Sequence, residues 1–139
     1  MRTNTNSNLI LGCIADDFTG GSDAASFLAA GGMNTILLTE IPDDSYQLPA
    51  DAEAAVITLK SRTQETASAV ADSLRAIRWL RSAGASHFYV KYCSTFDSTP
   101  AGNIGPIVDA VLEELNADGT ILCPALPANG RIEIGRAHV

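Results

Sequence analysis

The chain has 139 residues, 46% of them hydrophobic and 18% charged, with a net charge of −7. That supplies apolar material for one core, while the acidic balance speaks against nucleic acid or an anionic membrane surface as partner. No apolar run nears the roughly 18 residues of a membrane span, and the polar residues 1–8 lack the apolar stretch of a secretory signal, so the cytoplasm is the expected compartment.

Leu9 to Ala15 is a short apolar run and reads as a buried strand. Ser22 to Ala30 is rich in alanine and reads as a helix, stopped by Gly31 and Gly32. Thr35 to Leu38 is a second strand, and the proline- and aspartate-bearing stretch from Ile41 to Ala52 is a surface loop. Ala54 to Leu59 is a third strand. From Thr66 to Ser82, Val70, Leu74, Ile77 and Leu80 recur at helical spacing, with Arg75, Arg78 and Arg81 on a solvated stripe. Phe88 to Tyr92 is a fourth strand. Ile107 to Leu115 is a third helix, and Thr120 to Cys123 a fifth strand. Short apolar strands alternating with helices predict an α/β fold: a doubly wound, mainly parallel sheet in three layers, flavodoxin- or Rossmann-like. The pattern stops without a closing element, so the domain is expected to be incomplete at its C-terminus.

The three cysteines, Cys13, Cys93 and Cys123, form no Cys-x-x-Cys pair and read as small buried hydrophobes. Glu133 to Val139 can be encoded by a common sequencing adapter, so the reading frame is expected to run into adapter near residue 132. The expected division is therefore a polar tail over 1–8, a domain over 9–131 and a non-native tail over 132–139.

Polar residues gather where the strands end. In a doubly wound sheet, ligands bind outside the carboxyl ends of the strands. Asp16, Asp17, Gly20 and Gly21 follow the first strand; Lys60, Ser61 and Arg62 follow the third. Lys91, Ser94, Thr95, Asp97 and Ser98 follow the fourth, and Arg131 lies beyond the fifth. The only two lysines, Lys60 and Lys91, both fall at such ends. Basic groups there can hold an anionic substrate, and aspartates can accept hydroxyl hydrogen bonds or a proton. Plainer readings stand beside these: Asp16 or Asp17 as a helix cap, Asn103 as the cap of the third helix, Lys60 as a solvated strand end. No Gly-x-x-x-x-Gly-Lys-Ser/Thr loop is present, so Gly20 and Gly21 do not read as a nucleotide cradle.

Ala15-Asp16-Asp17-Phe18-Thr19-Gly20-Gly21-Ser22-Asp23 resembles the opening signature of the four-carbon acid sugar kinase family. Ser61-Arg62, the stretch from Lys91 to Thr99 continuing through Gly102 to Pro106, and Pro124 to Arg131 resemble three further motifs in the same order. The wording of the third is closest to the 3-oxo-tetronate kinase branch, and the likeness covers about residues 9–131. The resemblance implies a sugar-acid-binding domain whose kinase phosphorylates a terminal hydroxyl with ATP and Mg²⁺, the nucleotide site lying in a C-terminal portion beyond this chain. It implies Asp17 and Asp97 as catalytic residues. Asp16, Ser61, Arg62, Lys91, Ser98, Asn103 and Arg131 are implied as substrate contacts. A small sugar acid is the expected partner, with neither nucleic acid nor membrane, and homo-oligomerisation of the full-length protein stays open. Two other readings remain: a sugar-acid-binding module without activity, and a receiver-like phospho-acceptor domain. Against the latter, the third strand ends in Leu59-Lys60-Ser61 with no aspartate.

Overall fold

The computed structural model describes residues 8–96, 98–134 and 137–138. Strands β1 (Leu11–Ala15), β2 (Thr35–Leu38), β3 (Ala54–Thr58) and β4 (His87–Lys91) form one sheet in the order β2-β3-β1-β4. Every pairing in it is parallel: Ala15 stands beside Thr58 on one side and Lys91 on the other. Helix α1 (Phe18–Ala30) connects β1 to β2, α2 (Thr66–Ser82) connects β3 to β4, and α3 (Ile104–Leu115) follows β4.

The two crossovers run in opposite directions along the sheet. Right-handed connections then place α1 on one face and α2 on the other. The core divides accordingly. Cys13 and Val56 pack against Ala24 and Leu28 of α1. Ile14, Ala55 and Ile57 belong to a larger cluster with Ala69, Ala76, Ile77 and Leu80 of α2 and Ile107 and Val111 of α3. Period-two alternation on a strand covered on both faces thus yields three layers. Because β1 and β3 are neighbours whose following helices lie on opposite faces, a crevice opens between their carboxyl ends.

Local chemistry sets the boundaries. Helix α1 begins at Phe18, four residues before the sequence pattern predicts, because Asp17 caps it: its carboxylate accepts from the Gly20 N–H at 2.6 Å. Gly20 and Gly21 therefore lie inside the first turn. Helix α2 ends in a Schellman arrangement: the Gly84 N–H bonds Arg81 O, the Ala85 N–H bonds Leu80 O, and Gly84 takes φ 112°. Helix α3 starts at Ile104 rather than Ile107.

Two expectations need correction. Thr120 to Cys123 is not a strand; it pairs with nothing among the described residues, and Ile121 is 88% exposed. An apolar run becomes a buried parallel strand only when both faces are covered, and no described element covers this one. After it come a 3₁₀ turn (Pro127–Asn129) and a two-stranded antiparallel hairpin, β5 (Glu133–Ile134) with β6 (Ala137–His138). The arginine stripe is also not merely solvated. Arg78 and Arg81 both donate to the Glu114 carboxylate, at 2.7 and 2.8 Å, and Arg81 also reaches the Glu114 carbonyl at 3.1 Å, fastening α3 to α2.

Helix α1 sits close to the sheet at Gly21. A β-carbon there would lie 2.2 Å from Cγ2 of Thr58, well inside contact distance, and both atoms belong to packed layers. Gly21→Ala should cost about 1–3 kcal/mol of stability, read as a lower thermal midpoint. An unchanged midpoint would show that α1 is not seated this closely.

Candidate functional site at the carboxyl edge of the sheet

The site is built around the end of β1. The Asp16 N–H donates to Lys91 O at 3.0 Å, and the Arg62 N–H donates to Asp16 O at 3.2 Å. The Asp16 carboxylate reaches further: Oδ2 accepts from the Cys93 N–H at 3.0 Å. One residue thus binds the β3–α2 loop, the end of β4 and the β4–α3 loop to β1.

Asp17 faces outward beside it. Its Oδ1 caps α1, and its Oδ2 meets Nη1 of Arg62 at 3.4 Å. Nη2 of Arg62 also donates to Thr95 Oγ1 at 3.3 Å. The Lys91 ammonium donates to Tyr92 O at 2.5 Å. A β-carbon on Gly20 would stand 3.5 Å from that ammonium, so Lys91 lies against the first turn of α1. Two cations, the positive end of a helix and two carboxylates share one edge, an arrangement suited to an anionic, hydroxyl-bearing ligand.

Two hollows flank Asp16 and Arg62. An outer cleft of about 560 Å³ is lined by Asp16, Asp17, Phe18, Lys60, Arg62 and Thr63, among others. That volume suits a small molecule. On the α2–α3 side lies an inner cavity of about 50 Å³, lined by Ile14, Asp16, Ser61, Ser73, Lys91 and Asn103 among others.

The sequence-predicted residues fall into three groups. Asp16, Asp17, Ser61, Arg62, Lys91 and Asn103 line these two hollows. Asn103 does so with its side chain occupied: both amide hydrogens go to carbonyls, Ser61 O at 2.7 Å and Gln64 O at 2.8 Å, and its Oδ1 accepts from Thr66 Oγ1 at 2.8 Å. It stands at the N-cap of α3 but makes no side-chain cap bond; it ties α3 to the β3–α2 loop instead. Ser98 is exposed and Arg131 bridges Leu126 beside the 3₁₀ turn, and neither bonds to the group around Asp16 among the described residues. Asp97 lies outside the described residues.

Sequence reasoning passed over Ser73 and, as a ligand candidate, Phe18; Lys60, read either as an anion-holding lysine or as a solvated strand end, lines the outer cleft. A serine on the buried side of α2, one turn from both Ala69 and Ile77, is the signal that could have drawn notice to Ser73. Cys13 is buried, and burial pushes its thiol up to about 12, in keeping with a small core residue. Cys123, by contrast, is exposed rather than buried.

Burial also raises the Asp16 carboxyl above 3.8, against the lowering effects of the Cys93 N–H, Lys91 and Arg62; the charge on Asp17 adds to the rise.

Comparison with known proteins places this geometry. Residues 11–139 match the family model for a sugar-binding N-terminal domain. The chain belongs to that family. Among its relatives, a 3-oxo-tetronate kinase of Pseudomonas savastanoi pv. phaseolicola is 53% identical over 134 residues, covering 96% of this chain and 31% of the kinase. A 3-oxo-tetronate kinase of Haemophilus influenzae is 54% identical over 122 residues, covering 88% and 29%. Of solved structures, Haemophilus influenzae protein HI1011 superposes with a TM-score of 0.81 at 53% identity, covering 86% of this chain and 29% of that one. A Salmonella typhimurium LT2 protein solved as a candidate tRNA synthase superposes at 0.83 with 47% identity, covering 87% and 29%. This sugar-binding domain therefore spans about a third of the length of the curated relatives it matches.

The raised Asp16 carboxyl carries a stability signature. A folded value above 3.8 means the folded chain holds this proton more tightly than the unfolded chain does. The contribution to stability is full below the unfolded value and is lost as pH climbs through the folded one. Asp16→Asn keeps the side chain neutral, so it should raise the thermal midpoint at pH 7, with the gain shrinking toward pH ~3.8. A midpoint lowered at pH 7 would mean that the carboxylate charge holds the edge together.

Proposed function

We propose that this chain is the acid-sugar-binding part of an ATP-dependent kinase that phosphorylates the terminal hydroxyl of a four-carbon sugar acid, 3-oxo-tetronate or a related tetronate, to its 4-phosphate. The observation that carries the reading is identity above 50%, along nearly the whole chain, to relatives named 3-oxo-tetronate kinase. The grouping of Arg62, Lys91 and Asp17 on one edge supports it, since a sugar acid needs a cationic end and hydroxyl acceptors.

In this reading the acid lies at the edge around Arg62, which lines both hollows, with Lys91 on the inner one and Asp17 on the outer. Arg62 and Lys91 neutralise its carboxylate, and the first turn of α1 adds backbone N–H groups. Asp17 orients the terminal hydroxyl, with Asp97 as its partner in that task. Asp16, Ser61 and Asn103 hold the walls, with Ser98 and Arg131 at the rim. Among the described residues there is no cluster of three His, Cys, Asp or Glu side chains, and the sequence has no phosphate-binding lysine loop. We therefore assign no residue here to ATP or Mg²⁺, and place both with the portion that corresponds to the remaining length of the relatives.

Phosphoryl transfer depends mainly on positioning and charge, so a domain that only grips the acceptor makes a direct contribution. The test is calorimetric titration of the chain with erythronate and its 3-oxo form. The unmodified chain should bind, and Arg62→Ala should weaken binding roughly 10- to 100-fold, the loss of one or two charged hydrogen bonds. Binding that Arg62→Ala leaves untouched, or no binding at all, would remove this assignment.

A further inference from the structure

Ser73 lies in the middle of α2 and is fully buried. Its Oγ has no hydrogen-bond partner among the described residues, not even the carbonyl one turn earlier that a helical serine commonly takes. Asp16 Oδ1 is the only other buried side-chain oxygen or nitrogen in that condition among the described residues. Both residues line the inner cavity, whose remaining walls include Ile14, Leu59, Val90 and Ile107. Buried polar atoms without partners are uncommon, and two on residues that line one small cavity point to a shared partner.

We infer that the inner cavity binds an ordered water bridging Ser73 Oγ and Asp16 Oδ1, which makes Ser73 a positioning residue for Asp16. The cavity, about 50 Å³, exceeds the roughly 10–15 Å³ one water requires. Two to four polar partners are needed. Ser73 and Asp16 supply two, and Asn103 Oδ1, with one of its lone pairs taken by Thr66, can supply a third. The hydroxyl bound here belongs to water rather than to the sugar acid. Ser73 is fully buried, out of reach of a ligand that enters from solvent. Ser73 and the Cys93 N–H then grip the two carboxylate oxygens from different sides, so the Asp16 plane is set from helix α2 as well as from the β4–α3 loop. The inference rests on the proposed function only in giving Asp16 an edge to hold for a ligand.

The test is the titration of the Asp16 carboxyl, followed by its ¹³C resonance in the unmodified chain and in Ser73→Ala. The charged groups facing Asp16 are Asp17 on its own turn, Arg62 from the β3–α2 loop and Lys91 from β4, and none changes in this variant. Losing a bridged hydrogen bond to the carboxylate should move the Asp16 midpoint up by roughly half to one pH unit. An unmoved midpoint in a folded Ser73→Ala chain overturns the inference. A second measurement needs no variant: magnetisation transfer from a long-lived water to the Ser73 and Asp16 amides is expected in the unmodified chain, and its absence also overturns the inference. If Arg62→Ala abolishes sugar-acid binding while Asp16 ignores Ser73→Ala, only the bridge fails. If Asp16 responds but no sugar acid binds, only the kinase reading fails.

Discussion

The edge depends on Asp16 more than on any other residue. Its peptide N–H holds the end of β4, its carbonyl holds Arg62 of the β3–α2 loop, and its carboxylate holds the Cys93 N–H. These bonds bring segments 46 to 77 residues apart in the chain to within reach of one small ligand. The carboxylate is maintained at a cost, because burial opposes its charge more strongly than Lys91 and Arg62 support it. A chain selected for stability alone would place a neutral side chain here; that it holds a charged one fits a site where function outweighs local stability.

The rest of the architecture serves the same edge. Opposed crossovers leave β1 between two strands, β3 and β4, whose following helices both lie across the sheet from α1. The strands run parallel, so the loops that carry Asp16, Arg62 and Cys93 leave from one edge of the sheet, and the crevice beside β1 follows from topology before any side chain is considered. The glycines at the start of α1 let it approach β3 and Lys91, and the Arg78–Glu114–Arg81 clamp keeps α3, which carries Asn103, fixed on α2.

Much of this was legible in the amino-acid sequence. The four strands, the long helix and the three layers follow from apolar periodicity: β1 and β3, covered on both faces, read as apolar runs, while β4 alternates exposed His87 and Tyr89 with Phe88 and Val90. The gathering of Asp16, Asp17, Arg62 and Lys91 followed from the rule that parallel strands end on one side. The fifth strand was misread because Thr120 to Cys123 has strand composition but no covering layer, a fact that no local pattern encodes. The start of α1 was misplaced because Gly20 and Gly21 look like loop residues, whereas the Asp17 cap makes them helical. Asn103 read as a cap or a ligand contact; only the tertiary structure shows its amide committed to Ser61 and Gln64. Ser73 escaped notice because a single serine in a helix carries no signal until its burial is known.

The central claim is that residues from three separate strand ends act together on one acidic ligand. Mapping ¹H–¹⁵N amide shifts while erythronate is titrated into the chain tests it most directly. The account predicts changes confined to Asp16–Gly21, Ser61–Thr63 and Lys91–Cys93, saturating together with a single affinity. Changes centred on the outer faces of α2 and α3, or groups that saturate independently, would contradict it.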